Sequence, residues 1–455
     1  MKNNNDYITI ILDDDPTGTQ TVHDVTVLTA WDVEMLTDQF DTGERAFFIL
    51  TNSRALPVTH AYKLIADICY NLRTAAALTG KKFNIILRSD STLRGHFPAE
   101  ADAAEDVLGK ADKWLVCPFF EEGGRITVND IHYIKEEGKM TPVSETPFAK
   151  DPSFGYRNSD LKRWIEEKTI GRIKEKAVAS LSIEEISDEG EEHILKRLRE
   201  PSKVWIVNVT SMKEMGIVTT ACRQLEKEGV RILYRTGASF VQSYLGIEKK
   251  EPLPVSEMTS ALSVPIEIRA GLVVVGSYVP KTTEQLNHLL ELQDLEHFEI
   301  DVAELFQTDK IIAHAIEFVN SKMREGKTVV LYTSRKLYSK ETAEENSAIG
   351  KMVSDSLVKI VQNVNNRPHF LIAKGGITSS DVATKGLGAK RARIMGQALP
   401  GIPVWLLGDE GKFPGLPYIV FPGNVGGPMA LKMLTAQLME SVRKNNITLW
   451  QSAPK

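Results

Sequence analysis

Cysteine is scarce. The three present, Cys69, Cys117 and Cys222, are an odd number and form no Cys-x-x-Cys pair, which argues against a disulfide framework and suits buried apolar fillers. No apolar run approaches the roughly 18 residues of a membrane span. The start of the chain, Met1 to Asp6, is polar and leads straight into a strand, so no signal peptide is expected and the cytoplasm is the expected location. Positive charge is not in excess: the net charge is −5. That balance offers no electrostatic footprint for nucleic acid, and an anionic ligand must be held by local cations. A Gly-x-x-x-x-Gly-Lys-Ser/Thr loop is missing, and no Gly-x-Gly-x-x-Gly follows the first strand, so neither a P-loop nor a simple dinucleotide fold is supported. The nine histidines show no metal-binding spacing. His23 and His96 lie near polar loops, His132 and His369 read as structural, and no metal ligand is assigned.

What is present is a chain of 455 residues with 42% hydrophobic and 25% charged side chains. That is too long for one ordinary core and is read as two domains. Apolar runs at 8–12, 46–51, 83–87, 113–117, 203–209 and 231–234 are nearly continuous, as in strands buried on both faces of a parallel sheet. A helical pattern spans 59–78. Residues 121–170, punctuated by Gly123, Gly124, Pro142, Pro147, Pro152 and Gly155, predict a hairpin-like insertion, and 182–200 a solvated helix. The stretch 248–269 opens on Glu248-Lys249-Lys250-Glu251-Pro252-Leu253-Pro254 and reads as a linker. It sets a first domain at 1–250 and a second at 265–455. Strands at 271–277, 327–334, 368–374, 403–408 and 418–421 then alternate with helices, notably 339–365 and 428–443. The expected fold is α/β: two domains, each a mostly parallel sheet flanked by helices, with the active site in the cleft between them.

Ligands of open α/β sheets bind beyond the carboxyl ends of the strands, and unusual polar residues gather at those ends. Asp13-Asp14-Asp15-Pro16-Thr17-Gly18 follows the first strand, Thr51-Asn52-Ser53-Arg54 the second, and Arg88-Ser89-Asp90-Ser91-Thr92-Leu93-Arg94-Gly95 the third. Adjacent aspartates raise one another's pKa. A metal, a sugar hydroxyl or a general-base role accounts for such a cluster, and a solvated turn capping the next helix is the plain alternative. Arg54, Arg88 and Arg94 can converge on a carboxylate or phosphate, although each alone is more often a surface ion pair.

The second half has three strand–glycine–helix junctions: Gly276-Ser277, Gly375-Gly376-Ile377-Thr378, and Pro422-Gly423-Asn424-Val425-Gly426-Gly427. Glycine lets backbone amides approach an anion, and helix N-termini favour phosphate. One junction is weak evidence, but three in one domain point to a nucleotide site. Thr282 and Gln285 have the spacing of a capping box for the helix after the first junction.

Together these motifs resemble the four-carbon acid sugar kinase family. Its members join an N-terminal sugar-acid domain to a C-terminal nucleotide domain. They phosphorylate threonate, erythronate or 3-oxo-tetronate at the terminal hydroxyl with ATP. The family opening Ala-Asp-Asp-Leu-Thr-Gly is similar to Asp13–Gly18, and Lys-x-Asp-Ser-Thr-Leu-Arg-Gly to Arg88–Gly95. Gly124-Arg125-Ile126-Thr127 resembles its Gly-Arg-Thr stretch. Gly-Ser-x-Ser, Gly-Gly-Glu-Thr and Pro-Gly-Asn-x-Gly resemble Gly276–Val279, Gly375–Thr378 and Pro422–Gly426. Asp13 and Pro16 stand for the family's Ala and Leu, Arg88 for Lys, Val279 for Ser and Ile377 for Glu.

The resemblance implies Asp14 and Asp15 as catalytic candidates, Asp15 being the first choice of base. It puts Asp13, Thr17, Ser53, Arg54, Arg88, Asp90, Ser91, Arg94 and Gly95 at the sugar acid. Gly276, Ser277, Gly375, Gly376, Ile377, Thr378, Gly423, Asn424 and Gly426 would meet ATP, Ile377 through backbone only. ATP and Mg²⁺ are the implied cofactors and the partners are small molecules, with no nucleic acid and no membrane. A homo-oligomer is left open.

Two other classes compete. Asp13-x-Asp15-Pro16-Thr17 after an apolar strand also fits the Asp-x-Asp-x-Thr of haloacid dehalogenase-type phosphatases, with 48–53 and Gly408-Asp409 resembling later motifs. That class keeps its core in one domain and needs no second set of glycine junctions. A non-catalytic two-domain ligand binder is the third class, and the aspartate cluster counts against it.

Overall fold

The computed structural model describes residues 7–136, 138–260, 270–336, 338 and 343–452. It divides into two compact units, one of Met1–Thr21 with Ala30–Lys249 and one of Val22–Thr29 with Lys250–Lys455. Strands in chain order through the first half are β1 (Tyr7–Asp13), β2 (Val25–Leu28), β3 (Ala46–Leu50), β4 (Lys82–Arg88) and β5 (Lys113–Cys117), then β6 (Arg125–Val128), β7 (Ile131–Glu136), β8 (Lys139–Pro142), β9 (Val178–Leu181), β10 (Val204–Val207) and β11 (Ile232–Thr236).

In the first unit, β3-β1-β4-β11-β5-β10-β9 form a wholly parallel sheet. Consecutive residues Ile10 and Ile11, like Phe47 and Phe48, are fully buried. Helices therefore cover both faces, and this is why the strands read as unbroken apolar runs. The helix Val58–Thr79 buries Ala61, Ile65, Ile68, Cys69 and Leu72 along one stripe and stops at the left-handed Gly80. The insertion is the antiparallel sheet β6-β7-β8. All three cysteines are buried and unpaired.

The second unit contains β12 (Leu272–Val275), β13 (Leu295–Ile300), β14 (Thr328–Thr333), β15 (Leu371–Lys374), β16 (Arg391–Leu399), β17 (Ile402–Leu407) and β18 (Pro417–Phe421). Its sheet runs β13-β14-β12-β15-β18-β17-β16-β2. The first five strands are parallel, and β17, β16 and β2 continue antiparallel. No helix among the described residues is long and apolar enough to cross a membrane.

Four strands escape the sequence reading. β16 buries alternate residues and β13 only its ends, Leu295 and Ile300, so they lack the continuous apolar signal. β2 and β9 are only four residues long. The first half of the expected linker is also structured. Leu253 N–H donates to Gln397 O at 2.7 Å, Val255–Ser260 is helical, and Leu253 and Met258 join the core with Phe370, Ile402 and Val404. Positions 261–269 and the expected helix start at 339–342 lie outside the described residues. The capping box at Thr282 is corrected as well: the helix Pro280–Leu289 has no side-chain cap, and Thr282 and Gln285 are fully buried beneath the third glycine junction.

Because Leu253 is core, Leu253→Ala should cost the protein about 2–4 kcal/mol. Denaturant unfolding measures this, and an unchanged midpoint would make the segment a free linker.

Candidate active site

Parallel register lines up the ends of the strands of the first unit. Asp13 lies beside Leu50 on β3 and beside Arg88 on β4, and Arg88 lies beside Thr236 on β11. Asp13 and Arg88 therefore share a face, and Arg88 Nη1 sits 3.0 Å from Asp13 Oδ1 and 3.4 Å from Asp14 Oδ1. Asp13 is only 1% exposed. Burial pushes its carboxyl up to about 7 against the pull of Arg88, with Asp14 and Asp15 adding repulsion. Burial also raises Asp14, against the attraction of Arg54 and Arg88.

Asp15 behaves oppositely. Burial acts to raise it, but the ion pair with Arg54 and the hydrogen bonds from Thr17 hold it below the usual range. Arg54 also reaches Asp90 at 3.4 Å, and Arg94 Nε donates to Asp90 at 2.7 Å. Those two guanidinium groups and Thr92 keep Asp90 ionised despite burial. Arg94 further lies 3.7 Å from Asp151 and over the ring of Phe148. The cluster thus sorts into carboxyls whose pKa is raised, Asp13 and Asp14, and carboxylates whose pKa is lowered, Asp15 and Asp90.

Backbone geometry makes room for this density of charge. A Cβ at Gly18 would stand 2.2 Å from both carboxylate oxygens of Asp13, so only glycine lets the turn Pro16–Thr21 close over that side chain. Gly95 has φ +114 and lies against Asp14. Leu93 and Asn52 hold left-handed backbones, at φ 67 and 49, a strain of the order of 1 kcal/mol or more each that positions loops at sites.

The structure brings Asp13, Asp14, Asp15, Thr17, Arg54, Arg88, Asp90 and Arg94 into one network of contacts. Ser53 Oγ turns instead to Glu100 Oε1, and the Ser91 carbonyl accepts from His132. Burial pushes His132 down to about 4, so it is a neutral structural bridge between Ser91 and Thr127. The phosphatase reading loses ground here, because Asp13, the nucleophile it requires, is sealed beneath Gly18 and tied to Arg88.

Two residues went unnoticed in sequence. Glu100 is buried and raised to about 7 by burial, then by Asp14. Arg235, the penultimate residue of β11, donates from Nη2 to the carbonyls of Asp90 and Arg94 and stacks over Trp164. The signal for it was an arginine one residue past the apolar run at 231–234.

In the second unit the three glycine junctions meet at Ser277. A Cβ on Gly276 would lie 2.3 Å from Thr378 Oγ1, one on Gly375 2.9 Å from Ser277 Cβ, and one on Gly423 3.1 Å from Ser277 Oγ. Thr282 Oγ1 donates to the carbonyl of Gly423, and Gln285 Nε2 to those of Val425 and Gly427. Gly426, with φ +82, packs against Ala430 and Gln285. Arg335 Nη1 donates to Ser277 O at 2.6 Å. Beneath the loop, the fully buried Lys374 donates to Pro422 O and Gly423 O over the ring of Phe421, and burial pushes it down to about 7. Ile377 is 58% exposed, and Asn424 is exposed beside it in kind while Gly376 is half-buried.

The raised acids give a pH signature. A carboxyl whose folded pKa is near 7 favours the folded state below its unfolded pKa near 4, and that contribution is lost as pH rises through 7. The melting temperature should fall between pH 5 and pH 8, and Glu100→Gln should shrink that fall. An equal fall in both proteins would show that Glu100 does not titrate there.

A family model described as a sugar-binding N-terminal domain matches residues 9–244, and one described as a nucleotide-binding C-terminal domain matches 272–431. The chain is 35% identical over 130 residues to a D-erythronate kinase of Heliobacterium modesticaldum, a match spanning 27% of each chain and so about a quarter of that relative. It is 24% identical over 401 residues to a 3-oxo-tetronate kinase of Cupriavidus necator, covering 85% of this chain and 86% of the relative. A crystal structure of a Haemophilus influenzae protein shares the fold with a TM-score of 0.63 at 15% identity, over 94% of this chain and all of that one. With family models matched in both halves and their motifs in order, the chain belongs to the four-carbon acid sugar kinase family.

Proposed function

We propose that this protein is an ATP-dependent kinase that phosphorylates a small, four-carbon sugar acid at its terminal hydroxyl. The observation that carries the reading is the sorted acid–guanidinium cluster at the strand ends of the sugar-binding unit. A primary hydroxyl is a poor nucleophile at neutral pH and gains from a carboxylate that orients it and accepts its proton. Asp15 suits this task best. It is held ionised by Arg54 and keeps 19% of its side chain exposed, whereas Asp14 keeps 2%. Asp14 is the second choice, and Asp13 serves as the partner of Arg88.

The second unit fits a nucleotide through what its glycines omit. A side chain at Gly375 or Gly423 would crowd Ser277 and one at Gly276 would meet Thr378; glycine turns before helix N-termini suit close approach of phosphate oxygens. Thr378, Gly376, Asn424 and Gly426 border the same loops, and Ile377 contributes backbone. Mg²⁺ bound with ATP would offset charge on the β- and γ-phosphate oxygens. The three buried free thiols agree with a reducing cytoplasm.

The test is ADP release from Mg-ATP with D-erythronate, D-threonate and 3-oxo-tetronate, and the product identified by mass spectrometry. Turnover with at least one acid, lost in excess chelator, is expected, and none with any four-carbon acid would overturn the reading. Asp15→Asn should lose about 10²-fold in kcat while still binding ATP. Gly375→Ala, which forces a side chain onto a φ of +118 beside Ser277, should raise KM for ATP about tenfold and spare KM for the acid.

A further inference from the structure

We infer that Arg235 is the residue that anchors the carboxylate of the sugar acid, a role that rests on the kinase reading above. The three arginines marked by sequence are already matched by acids. Arg54 pairs with Asp15 and Asp90, Arg88 with Asp13 and Asp14, and Arg94 with Asp90 and Asp151. A guanidinium so matched has little net attraction left for a further anion.

Arg235 differs. It is 4% exposed and makes no ion pair among the described residues. Its Nη2 donates to two backbone carbonyls, Asp90 O at 3.4 Å and Arg94 O at 3.2 Å. Its Nε and Nη1 are buried without a partner. Leaving charged donors unpaired in an interior is costly, and a bound anion would remove that cost. The Trp164 ring, 5.1 Å from the guanidinium carbon and itself stacked on Phe97, fixes the group in place.

The position is also right. Both carbonyls that Arg235 holds belong to the Asp90–Arg94 loop, whose Asp90 carboxylate meets Arg54. The anchor is therefore tied to Asp15 through the Asp90–Arg94 loop and Arg54. The acids facing Arg235 are Asp14, Asp90 and Glu100, and none reaches ion-pair distance. Arg125, also without an ion pair among the described residues, has a buried Nε lacking a partner. Both cations act on His132, which is bonded to Ser91 O in the same loop. Burial lowers the pKa of Arg125 and Arg235, whereas acids raise that of Arg54 and Arg88. Arg125 and Arg235 thus bring positive charge without an ion pair to the Asp90–Arg94 loop.

The experiment compares a four-carbon sugar acid with its neutral polyol, D-erythronate with erythritol, by kinetics and calorimetry in the full-length protein. In Arg235→Met the preference for acid over polyol should fall at least 10²-fold. It should fall through KM for the acid, with the constants for erythritol and ATP within threefold of wild type. Arg235→Lys should recover part of the preference. If acid and polyol weaken in parallel, Arg235 only props the loop and the inference falls. Should Arg235→Met lack a cooperative melt, the lysine variant decides: a preference unchanged from wild type overturns the inference, and a tenfold loss supports it. A wild-type protein inactive on every four-carbon acid would remove the kinase reading itself, and this inference with it.

Discussion

Two neighbouring carboxyls, Asp13 and Asp14, are buried at the end of a parallel strand with one guanidinium, Arg88, between them. A carboxylate in such a place is tolerable only if it is paired or neutral. Arg88, with Arg54 a further 3.9 Å from Asp14, does not offset the cost of burying both, and both carboxyls move above their ordinary range. Everything else at the strand ends follows from that shortage. Arg54 sits closest to Asp15 and Asp90, whose pKa it lowers, and the site keeps raised and lowered carboxyls side by side. Such a split is what acid–base chemistry at neutral pH uses.

The same constraint explains where the backbone is unusual. Gly18 must lack a side chain because the Asp13 carboxylate occupies the space. Leu93 accepts a left-handed backbone so that the loop after β4 can turn Asp90 towards Arg54 and Arg94 at once. It also gives meaning to two departures from the family motifs. Asp13 stands for alanine and Arg88 for lysine, and these two residues touch. An added acid is matched by a cation whose planar fork reaches both Asp13 and Asp14, which a lysine point charge does less well.

Much of this was legible in the sequence. The parallel strands showed as unbroken apolar runs, and their polar sequels, which the structure gathers into one cluster, pointed to the candidate site because side chains at carboxyl ends of strands face ligands. β16, which buries alternate residues, and β13, which buries only its ends, did not show, since neither carries a continuous apolar run. Pairings across the sheet were also hidden. Arg54, Arg88 and Arg94 looked alike as letters, and only register and loop geometry reveal that aspartates already hold them. Arg235 and Lys374 were overlooked for one reason: each is a single basic residue following an apolar run. Thr282 and Gln285 had the spacing of a cap but are buried against the Gly423–Gly427 loop, a tertiary use that local pattern cannot separate from a cap.

The central claim is that Asp13 and Arg88 are mutually required by burial. A double-mutant cycle with Asp13→Ala and Arg88→Lys, the residues the family motif carries, isolates that dependence by denaturant unfolding. Arg88→Lys alone should destabilise the protein, because Asp13 then lacks a fitted partner. The double variant should recover stability, with a coupling of about 1–3 kcal/mol between the two changes. Additive effects within about 0.5 kcal/mol would contradict the account, since each residue would then be indifferent to the charge of the other.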